Sequence, residues 1–121
     1  MKCKTILFIV TLFFMSHARS QEFSIIPKPV EISVQKGSFT LTRESSLQFD
    51  TSNSEISRIA EFFNEYLNTV YGFNLRENAE GKPIHFKIMS QLNLGDEGYL
   101  LKVGPKSIVI TASKPNGLFY G

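Results

Sequence analysis

Tryptophan is absent from the 121 residues, cysteine occurs once and histidine twice. The cysteine, Cys3, lies ahead of an N-terminal apolar run, and so does nothing for the chain that follows that run. Without a further thiol, disulfides and a thiolate metal site are excluded. His85 is then the one histidine of the main chain body, since His17 sits just after the run; no His-rich metal cluster and no Ser-His-Asp set can be built around it. Lys/Arg clusters are also missing, which leaves a polyanion nothing to grip through counterion release and makes nucleic acid a poor partner. Internal repeats, low-complexity tracts and long runs of like charge are absent too, so no disordered linker is expected.

What is present begins with an export signal. Lys2 and Lys4 supply a positive start, and an apolar stretch runs from Thr5 to Met15. Ala18-Arg19-Ser20 then puts small residues where a signal peptidase reads. The run is too short to span a bilayer, which takes ~20 apolar residues. A lipid anchor would need a cysteine after the run rather than Cys3 before it. Cleavage near Ser20 is therefore expected, with residues 1–20 a signal peptide and 21–121 one domain, delivered to the periplasm, the outer membrane or the medium. Removing the signal takes three of the 13 Lys and Arg and none of the 11 acids, which moves the formal net charge from +2 to −1. About 100 residues remain, enough for one core of modest stability.

Most of this domain reads as strands. Val30, Ile32 and Val34 alternate with polar residues, as do Phe39 and Leu41, across a Lys36-Gly37 turn, and Leu47 with Phe49 predicts a third short strand. Together these predict a meander. Further on, Ile84, Phe86 and Ile88 alternate with His85 and Lys87, and Tyr99, Leu101 and Val103 face Ile108, Ile110 and Ala112 across a Gly104-Pro105-Lys106 turn. One helix separates the two groups. Ser52 and Glu55 have the spacing of a capping box, Gly72 ends the helix, and Ile56, Ile59, Ala60, Phe63, Tyr66, Leu67 and Val70 form an apolar stripe predicted to lie on the sheet. The expected fold is α+β: a mostly antiparallel sheet, one long helix on one face, and the start of a second helix at the C-terminus. That second helix is read from Ser113 as cap and Pro115 in the first turn. Two turns are not stable alone, so Leu118-Phe119-Tyr120 calls for a partner and the sequence reads as cut from something longer.

Two stretches carry a family resemblance. Ile26-Pro27-Lys28-Pro29 after an export signal, followed by Gly37-Ser38-Phe39, resembles the opening of bacterial β-N-acetylhexosaminidases of glycoside hydrolase family 20. Glu97-Gly98-Tyr99-Leu100-Leu101-Lys102-Val103, then Ile108 to Ser113, then Gly117-Leu118-Phe119-Tyr120-Gly121 is similar to the run that closes the family's N-terminal domain. The resemblance implies removal of terminal β-linked N-acetylglucosamine or N-acetylgalactosamine with retention, the substrate's acetamido oxygen acting as nucleophile. It further implies that an adjacent Asp-Glu pair on a following (β/α)₈ barrel orients the acetamido group and exchanges the proton. That barrel is the implied partner, and the sequence stops before it.

Asp96-Glu97 is an adjacent acidic pair of the right type, but Leu94-Gly95-Asp96-Glu97-Gly98 reads as a turn of solvated acids. His85 reads as a solvated or half-covered strand residue rather than a catalytic base, Phe63 and Tyr66 as core, and Tyr71 with Phe73 as packing at a helix stop rather than a sugar platform. Gly117 and Gly121 lack the spacing and lysine of a phosphate loop. The expectation is thus no catalytic, cofactor-binding or metal-binding residue in this chain and no cofactor. Three readings remain open: the accessory domain of an exported hexosaminidase, a free-standing glycan- or protein-binding module, against which the lack of Trp counts, and the leading domain of another glycosidase family. If the barrel is missing, an unpaired sheet edge or uncovered apolar face would drive self-association.

Overall fold

The computed structural model describes Ile25 and residues 28–121. The predicted signal peptide and Ile26-Pro27 lie outside the described residues. The chain divides into two units, Met1–Ser33 and Val34–Gly121. In the first, residues 28–33 form no strand, and Val30 and Ile32 are exposed.

The second unit holds five strands and two helices. The strands are β1 (Ser46–Gln48), β2 (Arg76–Glu77), β3 (Pro83–Ile88), β4 (Tyr99–Val103) and β5 (Ile108–Ala112). The helices are α1 (Ser54–Tyr71) and α2 (Pro115–Tyr120), and a short 3₁₀ turn covers Ser90–Leu92. The sheet order is β2-β1-β3-β5-β4. This is α+β, but the sheet is mixed rather than mostly antiparallel: β1 pairs parallel with β2 and β3, β3 pairs parallel with β5, and only β4 and β5 pair antiparallel.

The departure has a physical cause. At 1.5 Å per residue, the 18 residues of α1 return the chain by about 27 Å, to the end of the sheet from which β1 started, so the next strand runs parallel to β1. β5 then inserts between β3 and β4. The tight turn after Val103 pairs β4 with β5 in the register Tyr99 with Ala112, Leu101 with Ile110 and Val103 with Ile108, as the sequence predicts.

The expected meander does not form. β1 is present, but residues 31–42 adopt no strand. Phe39 and Leu41 instead reach the core as half-buried side chains from irregular backbone. Alternation records which side chains seek burial; it does not supply the neighbouring edge that a ladder needs.

Helix α1 starts one residue later than the capping box predicts. Asn53 is the cap, its Oδ1 accepting from the Glu55 and Ile56 amides at 3.1 and 3.2 Å. Ser52 is engaged elsewhere: its amide and hydroxyl donate to Asp50 Oδ1 at 2.9 and 2.7 Å. Those bonds hold the Asp50 carboxyl below its ordinary value. Gly72 closes the helix in the left-handed region at φ 73°, and its amide donates to the Asn68 carbonyl.

One face of the sheet carries the core. Leu47, Ile84, Phe86, Ile110 and Ala112 are buried there beneath Ile56, Ala60 and Leu67 of α1, Leu118 of α2 and Leu75. Phe63 meets Phe86 edge-on, with ring centroids 5.9 Å apart. The predicted stripe is too wide, however: Tyr66 and Val70 are exposed, so Tyr66 is not a core residue. From the middle of α1, Asn64 takes the Leu75 amide on its oxygen at 2.9 Å and donates to the Leu75 carbonyl at 3.1 Å, pinning the chain that follows the helix back against it.

Helix α2 packs on β3, β4 and β5 and beside α1. Its cap is Lys114, with no side-chain capping bond; Ser113, the predicted cap, accepts the Leu94 amide on Oγ at 2.8 Å instead. Pro115 occupies the first turn as expected. Gly117 and Gly121, one turn apart, let the helix backbone lie against the sheet. A Cβ on Gly117 would collide with the Gly98 carbonyl oxygen and lie 2.8 Å from Ala112 Cβ, and one on Gly121 would lie 2.5 Å from Ile110 Cγ2.

Candidate functional site

The sequence candidates disperse over the surface of the fold. Asp96 sits on the turn before β4 and accepts an ion pair from Lys114 Nζ at 2.6 Å, with both side chains largely exposed. Glu97 is exposed beside it. The Asp96–Lys114 pair, with the Ser113–Leu94 bond, ties that turn to the start of α2; an exposed pair of this kind is worth little in stability. His85 is half-buried on β3, in register with Gln48 and Val109. Desolvation, then the neighbouring Lys87 charge, pushes its imidazole below the ordinary value of 6.5. Among the described residues, no group of three His, Cys, Asp or Glu side chains gathers to hold a metal ion.

Tyr71 and Phe73 do come together, with centroids 6.3 Å apart at 40°. The Arg43 guanidinium lies 6.0 Å from the Phe73 centroid, and Phe73 also packs on the core. Its ring therefore acts as a stop for the end of α1, gripped by hydrophobic contact and by the attraction of a cation to a π face.

The arrangement not anticipated lies between the two helices. Phe62 of α1 and Phe119 of α2 stand 5.4 Å apart at 42°, and Phe119 meets Tyr120 edge-on at 5.6 Å. These rings are 55%, 51% and 56% exposed. A shallow groove of about 290 Å³ runs beside them, lined by Glu55, Arg58, Ile59, Phe62, Pro115, Asn116 and Phe119. Its lining holds one carboxylate and no nucleophilic hydroxyl or thiol, so what it offers chemically is an aromatic surface with a polar rim. The signal for half of it was the Leu118-Phe119-Tyr120 ending. Phe62 was hidden because it falls outside the core-facing stripe of α1, and only the packing of α2 beside α1 brings the two rings together.

Among the described residues no helix is long and apolar enough to cross a membrane. Comparison with known proteins places the domain. The family model described as glycosyl hydrolase family 20, domain 2, matches residues 22–121. Among curated proteins no sequence matches the chain. Among solved structures, the family 20 β-N-acetylhexosaminidase of Streptomyces coelicolor A3(2) is 30% identical with a TM-score of 0.62, over 74% of this chain and 18% of that one. The N-acetyl-β-hexosaminidase of Streptomyces plicatus is 33% identical with the same TM-score, over 74% of this chain and 18% of that one. The family 20 exo-β-N-acetylglucosaminidase of Vibrio harveyi is 29% identical with a TM-score of 0.66, over 78% of this chain and 14% of that one. The chain thus spans 14–18% of the length of these enzymes. A family match over residues 22–121, joined to a fold shared with hexosaminidases of three bacteria, leads to one assignment: the chain belongs to glycosyl hydrolase family 20, as its domain 2.

Proposed function

We propose that this chain is the accessory domain of an exported, retaining exo-β-N-acetylhexosaminidase acting on terminal β-linked N-acetylglucosamine or N-acetylgalactosamine. The domain supports a catalytic (β/α)₈ barrel and contributes no catalytic, cofactor or metal residue of its own. The observation that carries this reading is the match to domain 2 over residues 22–121, in a chain that spans under a fifth of the related enzymes. The surface chemistry agrees with it: the acidic pair Asp96-Glu97 lies open on a turn, with Asp96 engaged by Lys114. General acid and base work needs carboxyl groups held in a pocket at hydrogen-bond reach of a substrate.

The N-terminal pattern of Lys2, Lys4, the Thr5 to Met15 run and Ala18-Arg19-Ser20 supports export. The test is a chromogenic β-N-acetylglucosaminide assay on this chain and on the full reading frame that contains it. The chain alone is expected to be inactive and the longer protein active; turnover by the chain alone overturns the accessory assignment. N-terminal sequencing of protein recovered outside the cytoplasm is expected to begin near Gln21, and an intact Met1 there would overturn signal cleavage.

A further inference from the structure

We propose that the outer edge of β4 is a self-association surface: it pairs antiparallel with the same edge of a second copy of the protein, about a twofold axis at Leu101. This goes beyond the accessory-domain reading and does not depend on it. β4 closes the sheet order β2-β1-β3-β5-β4, and among the described residues no strand lies on its outer side. Edge strands are ordinarily blunted by proline, a bulge or several charges. Tyr99-Leu100-Leu101-Lys102-Val103 has no proline and one charge, and it pairs residue for residue with β5, without a bulge. Leu100, Leu101 and Val103 are exposed along it.

The ladder fixes which backbone groups face outward. The Gly104 amide donates to the Ser107 carbonyl at 2.9 Å, and in an antiparallel ladder every second residue pair exchanges bonds. Lys102 with Val109 and Leu100 with Thr111 are therefore the bonded pairs. Across β5, the Ala112 carbonyl accepts the Met89 amide at 2.8 Å and so points away from β4, as this alternation requires. The amides and carbonyls of Tyr99, Leu101 and Val103 are left aimed outward. A twofold axis at Leu101 sets Tyr99 opposite Val103 of the second copy and Leu101 opposite its own counterpart, so each outward residue meets an outward residue and exchanges both bonds. Their side chains form a continuous apolar row across the seam. Charge selects the same arrangement. Asp96-Glu97 precedes the strand, while Lys102 and Lys106 lie at its other end. Antiparallel pairing lays the acidic end of each copy beside the basic end of the other, and the twofold axis repeats the match; parallel pairing would set like charges together. The opposite edge of the sheet, β2, is two residues long, so the assembly closes at a dimer.

The experiment follows the protein expressed from the full reading frame by sedimentation over a range of concentrations and by hydrogen exchange of the β4 amides. Wild type is expected to form a concentration-dependent dimer. The amides of Tyr99, Leu101 and Val103 should exchange more slowly as concentration rises, while those of Leu100 and Lys102, bonded to β5, stay slow throughout. Leu101→Pro removes an outward amide and leaves the bonds to β5, a position where an edge strand tolerates proline; it is expected to raise the dimer dissociation constant at least about tenfold. Glu97→Lys leaves the strand itself unchanged and is expected to raise that constant about fivefold, and adding Lys106→Glu to it to restore most of the loss. A wild type that stays monomeric at every concentration overturns the proposal; slow exchange of the Tyr99, Leu101 and Val103 amides in that monomer would give the edge to another segment of its own polypeptide. A dimer that neither Leu101→Pro nor Glu97→Lys weakens is built on a different surface, and the proposal is again overturned.

Discussion

Replacing Gly117 with alanine adds one methyl group at the closest approach between α2 and the sheet. The new Cβ would overlap the Gly98 carbonyl oxygen and stand 2.8 Å from Ala112 Cβ, where carbon atoms rest at about 3.5–4.0 Å. Relief therefore needs a displacement of about 1 Å. The helix cannot take it freely: Leu118 is locked in the core, and Gly121 lies on Ile110 and Tyr99. Two effects oppose each other. Alanine in place of glycine favours a helix by about 1 kcal/mol, while overpacking a filled site costs about 1–3 kcal/mol. The upper end applies because one obstacle is backbone, so a net loss of about 1–2 kcal/mol is expected, lowering the melting temperature by about 5–10 °C in a domain of this size. Gly72→Ala is the comparison. Its Cβ meets nothing within 4 Å, so the left-handed φ of 73° is the one penalty, about 1–2 kcal/mol. Thermal and urea unfolding followed by circular dichroism reads both. The two variants separate by hydrogen exchange, since Gly117→Ala should release the amides of α2 and Gly72→Ala those at the end of α1. A Gly117→Ala domain that melts at or above the wild-type temperature would refute the claim that steric contact seats α2.

Three further outcomes are expected. Asn53→Ala should cost about 1 kcal/mol by leaving the Glu55 and Ile56 amides uncapped, whereas Ser52→Ala, which the sequence alone would rank as the damaging change, should cost less; urea midpoints decide between them. Asn64→Ala strips two partners from Leu75 and should cost about 1–3 kcal/mol, with faster exchange of the Leu75 amide. His85 has a folded pKa below 6.5, so the unfolded chain binds the proton more readily: stability is full above about pH 6.5 and falls as pH drops through the window beneath it. His85→Gln should flatten that part of a pH–stability curve, and an unchanged slope would remove His85 as its cause.

The legible parts of the fold are those governed by local chemistry. Gly72 ends α1 because a left-handed residue is required after the last turn. Pro115 opens α2 because its missing amide hydrogen costs nothing there. The β4–β5 register follows from two alternating runs joined by a short turn. The cap was misread by one residue because Ser52 had a competitor for its bonds in Asp50, two positions away. Tyr66 was misplaced because periodicity finds an apolar arc but not its edge: Leu67 is buried in the core, and Tyr66, one position away, is exposed.

By itself, then, the sequence determined the α+β class, the Gly72 stop of the long helix, the closing hairpin and, through the Ile26-Pro27-Lys28-Pro29 opening together with the Glu97 to Gly121 run, the family. Tertiary structure alone decided that β1, β2, β3 and β5 lie parallel, since strand direction depends on where α1 returns the chain and not on any strand's own pattern. It also decided that Phe39 and Leu41 are half-buried from irregular backbone, and that Gly117 and Gly121 let α2 pack closely on the sheet. Above all, it brought Phe62 and Phe119, 57 positions apart in the numbering, to 5.4 Å. No local rule relates residues at that separation; their meeting is fixed by the shared sheet on which both helices rest.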